Sequence, residues 1–84
     1  MKILVIDTVG VADEIAEVAR RTLVGKTVDI VSKCDNIPED RFVILVTSFP
    51  CVTVPGVNRY VSLCCMDTGM DAQLRSAFME GVFA

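Results

Sequence analysis

Ile3-Leu4-Val5-Ile6 is an unbroken apolar run, closed by the turn-forming stretch Asp7-Thr8-Val9-Gly10. Strands buried on both faces read this way, and they belong mainly to parallel sheets. From Val11 the period changes. Val11, Ile15, Val18 and Thr22 form one row, with Ala12, Ala16, Ala19 and Leu23 beside it, and this spacing is helical. Asp13, Glu14 and Glu17 come early and Arg20 and Arg21 late, an order that complements the helix dipole. Gly25 supplies a stop. A helix is expected over roughly residues 11–24, with Glu17 and Arg21 paired four apart.

Thr27-Val28-Asp29-Ile30-Val31 reads as a second strand, Phe42-Val43-Ile44-Leu45-Val46 as a third and Arg59 to Cys64 as a fourth. Polar residues around Pro38 separate the second from the third, and a loop carrying Pro55-Gly56 separates the third from the fourth. Thr68-Gly69-Met70-Asp71 fits a capping-box start. Met70, Leu74, Ala77, Phe78, Gly81 and Val82 then form a second helical stripe, with Asp71 and Arg75 paired on its outer side. The two later loops are short for parallel crossovers, which normally take a dozen residues or more. Either they cross as compact irregular segments or one strand runs antiparallel. The first, third and fourth strands lack in-out alternation, which favours parallel.

The expected fold is α/β: one domain over residues 1–84, with a four-stranded, mainly parallel sheet and two main helices. At 84 residues with 52% apolar content, the chain is long enough for one small core and too hydrophobic for disorder. A net charge of -3 with scattered Lys and Arg lacks the basic footprint of a nucleic-acid binder. No apolar run reaches membrane-span length, and the first is too short for a signal peptide, which points to the cytoplasm. Cys34, Cys51, Cys64 and Cys65 have neither zinc-site nor CxxC spacing and are expected as thiols, mostly as small buried hydrophobes. Histidine is absent, so Ser-His and Cys-His nucleophile pairs and mixed Cys/His zinc sites are excluded. No metal site and no cofactor are expected.

The pattern resembles the flavodoxin-like group of small α/β domains, and within it the galactitol-type IIB phosphocarrier subunits of the phosphotransferase system. The segments Lys2 to Ile6, Asp7 to Ala12, Val28 to Cys34, Phe42 to Ser48 and Met66 to Val82 take the places of that family's strands, phosphate loop and C-terminal helix. The resemblance implies a phosphoryl carrier whose reactive cysteine directly follows the first strand. Asp7 stands at that position here, and the Gly-, Ser- and Thr-rich loop expected after it reads Thr8-Val9-Gly10-Val11-Ala12, which keeps only Gly10 of a flavodoxin phosphate loop.

Three features carry candidate chemistry. In open α/β sheets ligands bind beyond the carboxyl ends of the strands, where the order reverses. The flavodoxin-like resemblance implies the sheet order 2-1-3-4, which would set Asp7, Thr8 and Gly10 across that crevice from Thr47 and Ser48, beside a helix N-terminus that favours anions. Asp7, Asp13 and Glu14 oppose a bound phosphate. The plain alternative is that the two acids complement the dipole while Thr8 caps the helix. As a phosphoryl acceptor, Asp7 would need an acidic partner with magnesium, and Asp67 is the candidate. The second feature is Cys51, whose place after Pro50 would leave a thiol accessible. The third is apolar surface: Phe49, Val52, Val54 and Val57 in a loop, with Met79 and Phe83 further on. Such residues either fold over the sheet or meet a partner.

The leading expectation is a non-catalytic protein-interaction module, an adaptor or inhibitor of the kind phages and mobile elements encode. It would bind a protein partner or itself through Phe49 to Val57. The alternatives are a phosphocarrier or small-anion binder using the Asp7 loop, and a small flavin-binding protein.

Overall fold

A computed structural model describes residues 2–48, 53–63 and 70–83. The strands are β1 (Lys2–Asp7), β2 (Val28–Val31), β3 (Arg41–Thr47) and β4 (Arg59–Ser62), and the helices are α1 (Ala12–Thr22) and α2 (Met70–Val82). The sheet order is β2-β1-β3-β4 and every pairing is parallel. Ile3 pairs with Val28 on one side and Phe42 on the other, and Ile44 pairs with Arg59. The expected α/β fold and strand order are therefore those observed. The β2–β3 and β3–β4 connections are therefore both parallel crossovers.

The register divides the sheet into two unlike faces. Ile3, Val5, Phe42, Ile44, Val46 and Val61 point to the face that carries both helices, where Ile15, Val18, Leu74, Ala77 and Phe78 close a core. Leu4, Ile6, Val43 and Leu45 point to the other face, which among the described residues is covered by loop residues and strand edges: Val31, Cys34, Ile37, Val54, Val57 and Tyr60. The handedness of parallel crossovers accounts for this division. The chain steps from β1 to β2 in one direction through α1. The steps from β2 to β3 and from β3 to β4 run the opposite way, so their connections land on the opposite face. The β2–β3 and β3–β4 connections form no helix among the described residues, so loops do the work of a helical layer.

Several local expectations are corrected. Glu17 pairs with Arg20, three residues on, rather than with Arg21. Arg21 instead donates to the Glu17 carbonyl and reaches Asp71 at 3.5 Å, so α1 is tied to α2 and the expected Asp71–Arg75 pair does not form. Thr8 does not cap α1: the cap position is Val11, with no side-chain hydrogen bond. The Thr68-Gly69 start expected for α2 lies outside the described residues, as do Phe49, Cys51, Val52, Cys64, Cys65 and Asp67. Gly81 sits where α2 meets the sheet, and a β-carbon there would stand 2.8 Å from Ile3 Cδ1 and 2.9 Å from Phe42 Cδ2.

Candidate functional site

The order reversal falls between β1 and β3, and their carboxyl ends are stitched together there. Asp7 pairs with Val46. Beyond it, the Thr8 amide and hydroxyl both donate to the Val46 carbonyl, at 3.1 and 2.7 Å. Thr8 thus extends the β1–β3 seam by one residue, and its side chain is held by the neighbouring strand.

Asp7 is 5% exposed. Its Oδ1 accepts the backbone N–H of Val9 at 3.1 Å and of Gly10 at 2.9 Å. Gly10 has φ +81°, a left-handed conformation that glycine adopts without steric cost. The turn therefore points two successive amides at one carboxylate oxygen. An aspartate bonded to backbone amides two and three residues on is a local turn device. It also supplies a negative charge where the loop offers its donors.

Across the crevice, Thr47 is buried and pairs with Ser62, and its carbonyl accepts the Leu63 N–H at 2.8 Å. Ser48 is exposed, and both Thr47 and Ser48 make interactions within the chain. A shallow depression of about 200 Å³, lined by Gly10 to Glu14, marks the start of α1. Asp13 and Glu14 stand in its first turn. The five candidate residues of this site thus cluster at the sheet end as the strand order implied. An anion at the Val9 and Gly10 amides would have to displace Asp7, and one at the uncapped start of α1 would approach Asp13 and Glu14.

On the opposite face, Val54 and Val57 are half-buried against Leu4, Ile6, Val43 and Leu45. Their loop is anchored at several points. The Tyr60 hydroxyl accepts the Val54 N–H and donates to the Val54 carbonyl at 2.8 Å. The Asn58 amide donates to the Val43 carbonyl at 3.1 Å, while the Asn58 side-chain oxygen accepts the Val43 N–H at 3.0 Å, prolonging the β3 ladder before β4 begins. Gly56, at φ +88°, packs against Ile37 of the preceding loop. Part of the apolar surface assigned to contact thus completes a second small core, and the outward parts of Val54 and Val57 remain. Sequence reasoning missed Tyr60 and Asn58 as anchors; a polar-tipped aromatic and an amide flanking a Pro-Gly turn were the available signal.

Cys34 is a free, half-buried thiol bonded to the Asn36 carbonyl at 2.9 Å. At the amino end of the sheet, on the loop-covered face, Arg41 bonds Asp29 across β1. That bond and the Arg41 charge, with Lys2 adding to it, hold the Asp29 carboxyl below its ordinary pKa. Among the described residues, no group of three His, Cys, Asp or Glu is placed to hold a metal ion, and no helix is long and apolar enough to cross a membrane. No protein-family model, curated protein or solved structure matches the chain.

Proposed function

We propose that the chain is a protein-interaction module, an adaptor or inhibitor, built on a flavodoxin-like scaffold that resembles the IIB carriers without their chemistry. The observation that supports this most is the Asp7 carboxylate bonded to the Val9 and Gly10 amides. Two amides of the loop that would receive a phosphate on such a scaffold already serve the chain's own carboxylate, which disfavours ligand chemistry there and leaves the surface as the working part. The loop-covered face is the contact region. Its apolar side chains are half-buried, and loops that carry function are positioned by the rigid sheet beneath them. Phe49 and Val52 belong to the same connection and are proposed as its outer contacts. A protein of phage or mobile-element type fits this reading, because such regulators act by occupying a partner.

The test begins with affinity capture from a lysate of cells expressing the chain, and mass-spectrometric identification of what is retained. The folded double variant Phe49→Ser/Val54→Ser, its fold checked by circular dichroism, should lose that protein. Retention by the folded double variant would place the contact elsewhere. Native mass spectrometry of the gently purified chain separates the second reading, a phosphocarrier or small-anion binder using Asp7. A phosphoryl or small-molecule adduct abolished by Asp7→Ala would support that reading over the first.

A further inference from the structure

We propose that the seam between α1 and α2 is a binding site for a phosphate ion. A cleft of about 280 Å³ opens there, lined by Val18, Arg21 and Thr22 of α1 and by Asp71 and Arg75 of α2. Val18, 2% exposed, and the half-buried Thr22 belong to its floor, and the exposed Arg21, Asp71 and Arg75 to its rim. The last turn of α1 and the first turn of α2 both line it, so opposite dipole ends offset each other and the side chains set its charge. Two guanidinium groups against one carboxylate leave the cleft net positive. In a chain whose net charge is -3, that balance is local to this seam.

The donors of this cleft are not used up within the chain. Among the described residues Arg75 makes no ion pair, because Asp71, four residues before it, turns to Arg21 instead. Arg21 meets its own acceptors at long range, the Glu17 carbonyl at 3.4 Å and the Asp71 carboxylate at 3.5 Å. Well-formed bonds of this kind lie at about 2.7–3.2 Å. The Thr22 hydroxyl is buried and has no hydrogen-bond partner among the described residues. A helical threonine commonly bonds the carbonyl four residues back, and a buried polar group left without a partner is unusual. Rotation about χ1 exchanges the hydroxyl and methyl positions of Thr22 and would give the hydroxyl an acceptor on the ligand. The arrangement selects phosphate. Guanidinium groups approach from two helices and a hydroxyl from the floor, so the ligand must present oxygens in several directions. The four oxygens of a tetrahedral ion do so, whereas a carboxylate holds its two in one plane. The volume falls just under the range of about 300–1,000 Å³ that organic ligands occupy, which suits a small ion. Because the arginines are exposed and screened, binding is weak, with a Kd on the order of 1 mM. The cleft shares no residue with the Asp7 loop or the loop-covered face, so it holds or fails independently of the function proposed above.

Titration of the isotope-labelled chain with sodium phosphate to about 20 mM tests the site, since that range brackets the expected Kd. The pH is fixed and chloride holds the ionic strength constant, so that general screening does not change during the titration. Amide shifts should saturate and centre on residues 18–22 and 71–75. Arg75→Gln changes an exposed side chain that makes no ion pair, so the variant should keep the wild-type fold and weaken binding about fivefold. Thr22→Val keeps the side-chain shape and should weaken it about threefold. Asp71→Asn removes the competing carboxylate and should tighten it about threefold. Asp7→Ala should bind phosphate as the wild type does. Shifts that rise without saturating, shifts centred on residues 7–14, or binding unchanged in Arg75→Gln would each overturn the proposal.

Discussion

Asp7 combines three properties that seldom coincide on one surface loop: deep burial, a strand-end position and two backbone amides as partners. Hydrogen bonds to a charged group contribute about 1.5–3 kcal/mol each when intact. The amides freed by truncation lie near the surface and regain water, so Asp7→Ala should cost about 2 kcal/mol in urea denaturation. Asp7→Asn keeps an acceptor oxygen at Oδ1 and should lose about half as much. A loss under about 0.5 kcal/mol for Asp7→Ala would mean that these bonds do not hold the turn. The position of this site was legible in the sequence through its flavodoxin-like resemblance, which implies the order 2-1-3-4 and so fixes where β1 and β3 part. The partners of its side chains were not. Thr8 has the chemistry of a helix cap, yet the Val46 carbonyl lies 2.7 Å from its hydroxyl, and only the β1–β3 register reveals that competitor.

At the level of elements, α2 shows how closely a helix can be fitted to a sheet. Replacing Gly81 by alanine would add about 1 kcal/mol of helix propensity. The added methyl group would meet Ile3 and Phe42 closer than 3 Å, and overpacking of that kind costs about 1–3 kcal/mol. Gly81→Ala should therefore lower the thermal midpoint, for a net loss of about 1 kcal/mol. The exposed Ser76→Ala serves as a control and should be neutral or slightly stabilising. A midpoint raised by Gly81→Ala would show that Ile3 and Phe42 yield freely. The elements themselves were readable because each apolar run carries its own period. The helix of α1 and all four strands fall close to their expected ends. The ion pairs were less readable, since helical spacing offers Glu17 two arginines and offers Asp71 one within its helix and another across the layer. Which pair forms depends on how α1 and α2 lie together, and no local pattern encodes that.

The molecule as a whole is one sheet with a thick side and a thin side: Arg21–Asp71 and Arg59–Glu80 tie the elements of the thick side together, and a further ion pair lies on the thin side at the amino edge. There Arg41 and Asp29 clasp β3 to β2 across β1. Because the Asp29 carboxyl is held below its ordinary pKa, its contribution to stability is present above about pH 4, the range where a free aspartate titrates. That contribution disappears as the pH falls through the lowered value. Wild type should therefore be more stable than Asp29→Asn at neutral pH, and the two should converge in acid denaturation; a difference independent of pH would remove the ion pair as its source. The strand order also governs the sequence of events during synthesis. β1 leaves the ribosome before either of its neighbours does. β2 follows only after all of α1, and β3, which covers the other edge of β1, only at Arg41. At about 5–20 residues per second, Ile3 to Ile6 wait some seconds as unpaired apolar backbone. A strand that ends up enclosed on both edges is thus the one longest exposed to chaperones and to aggregation with its own kind.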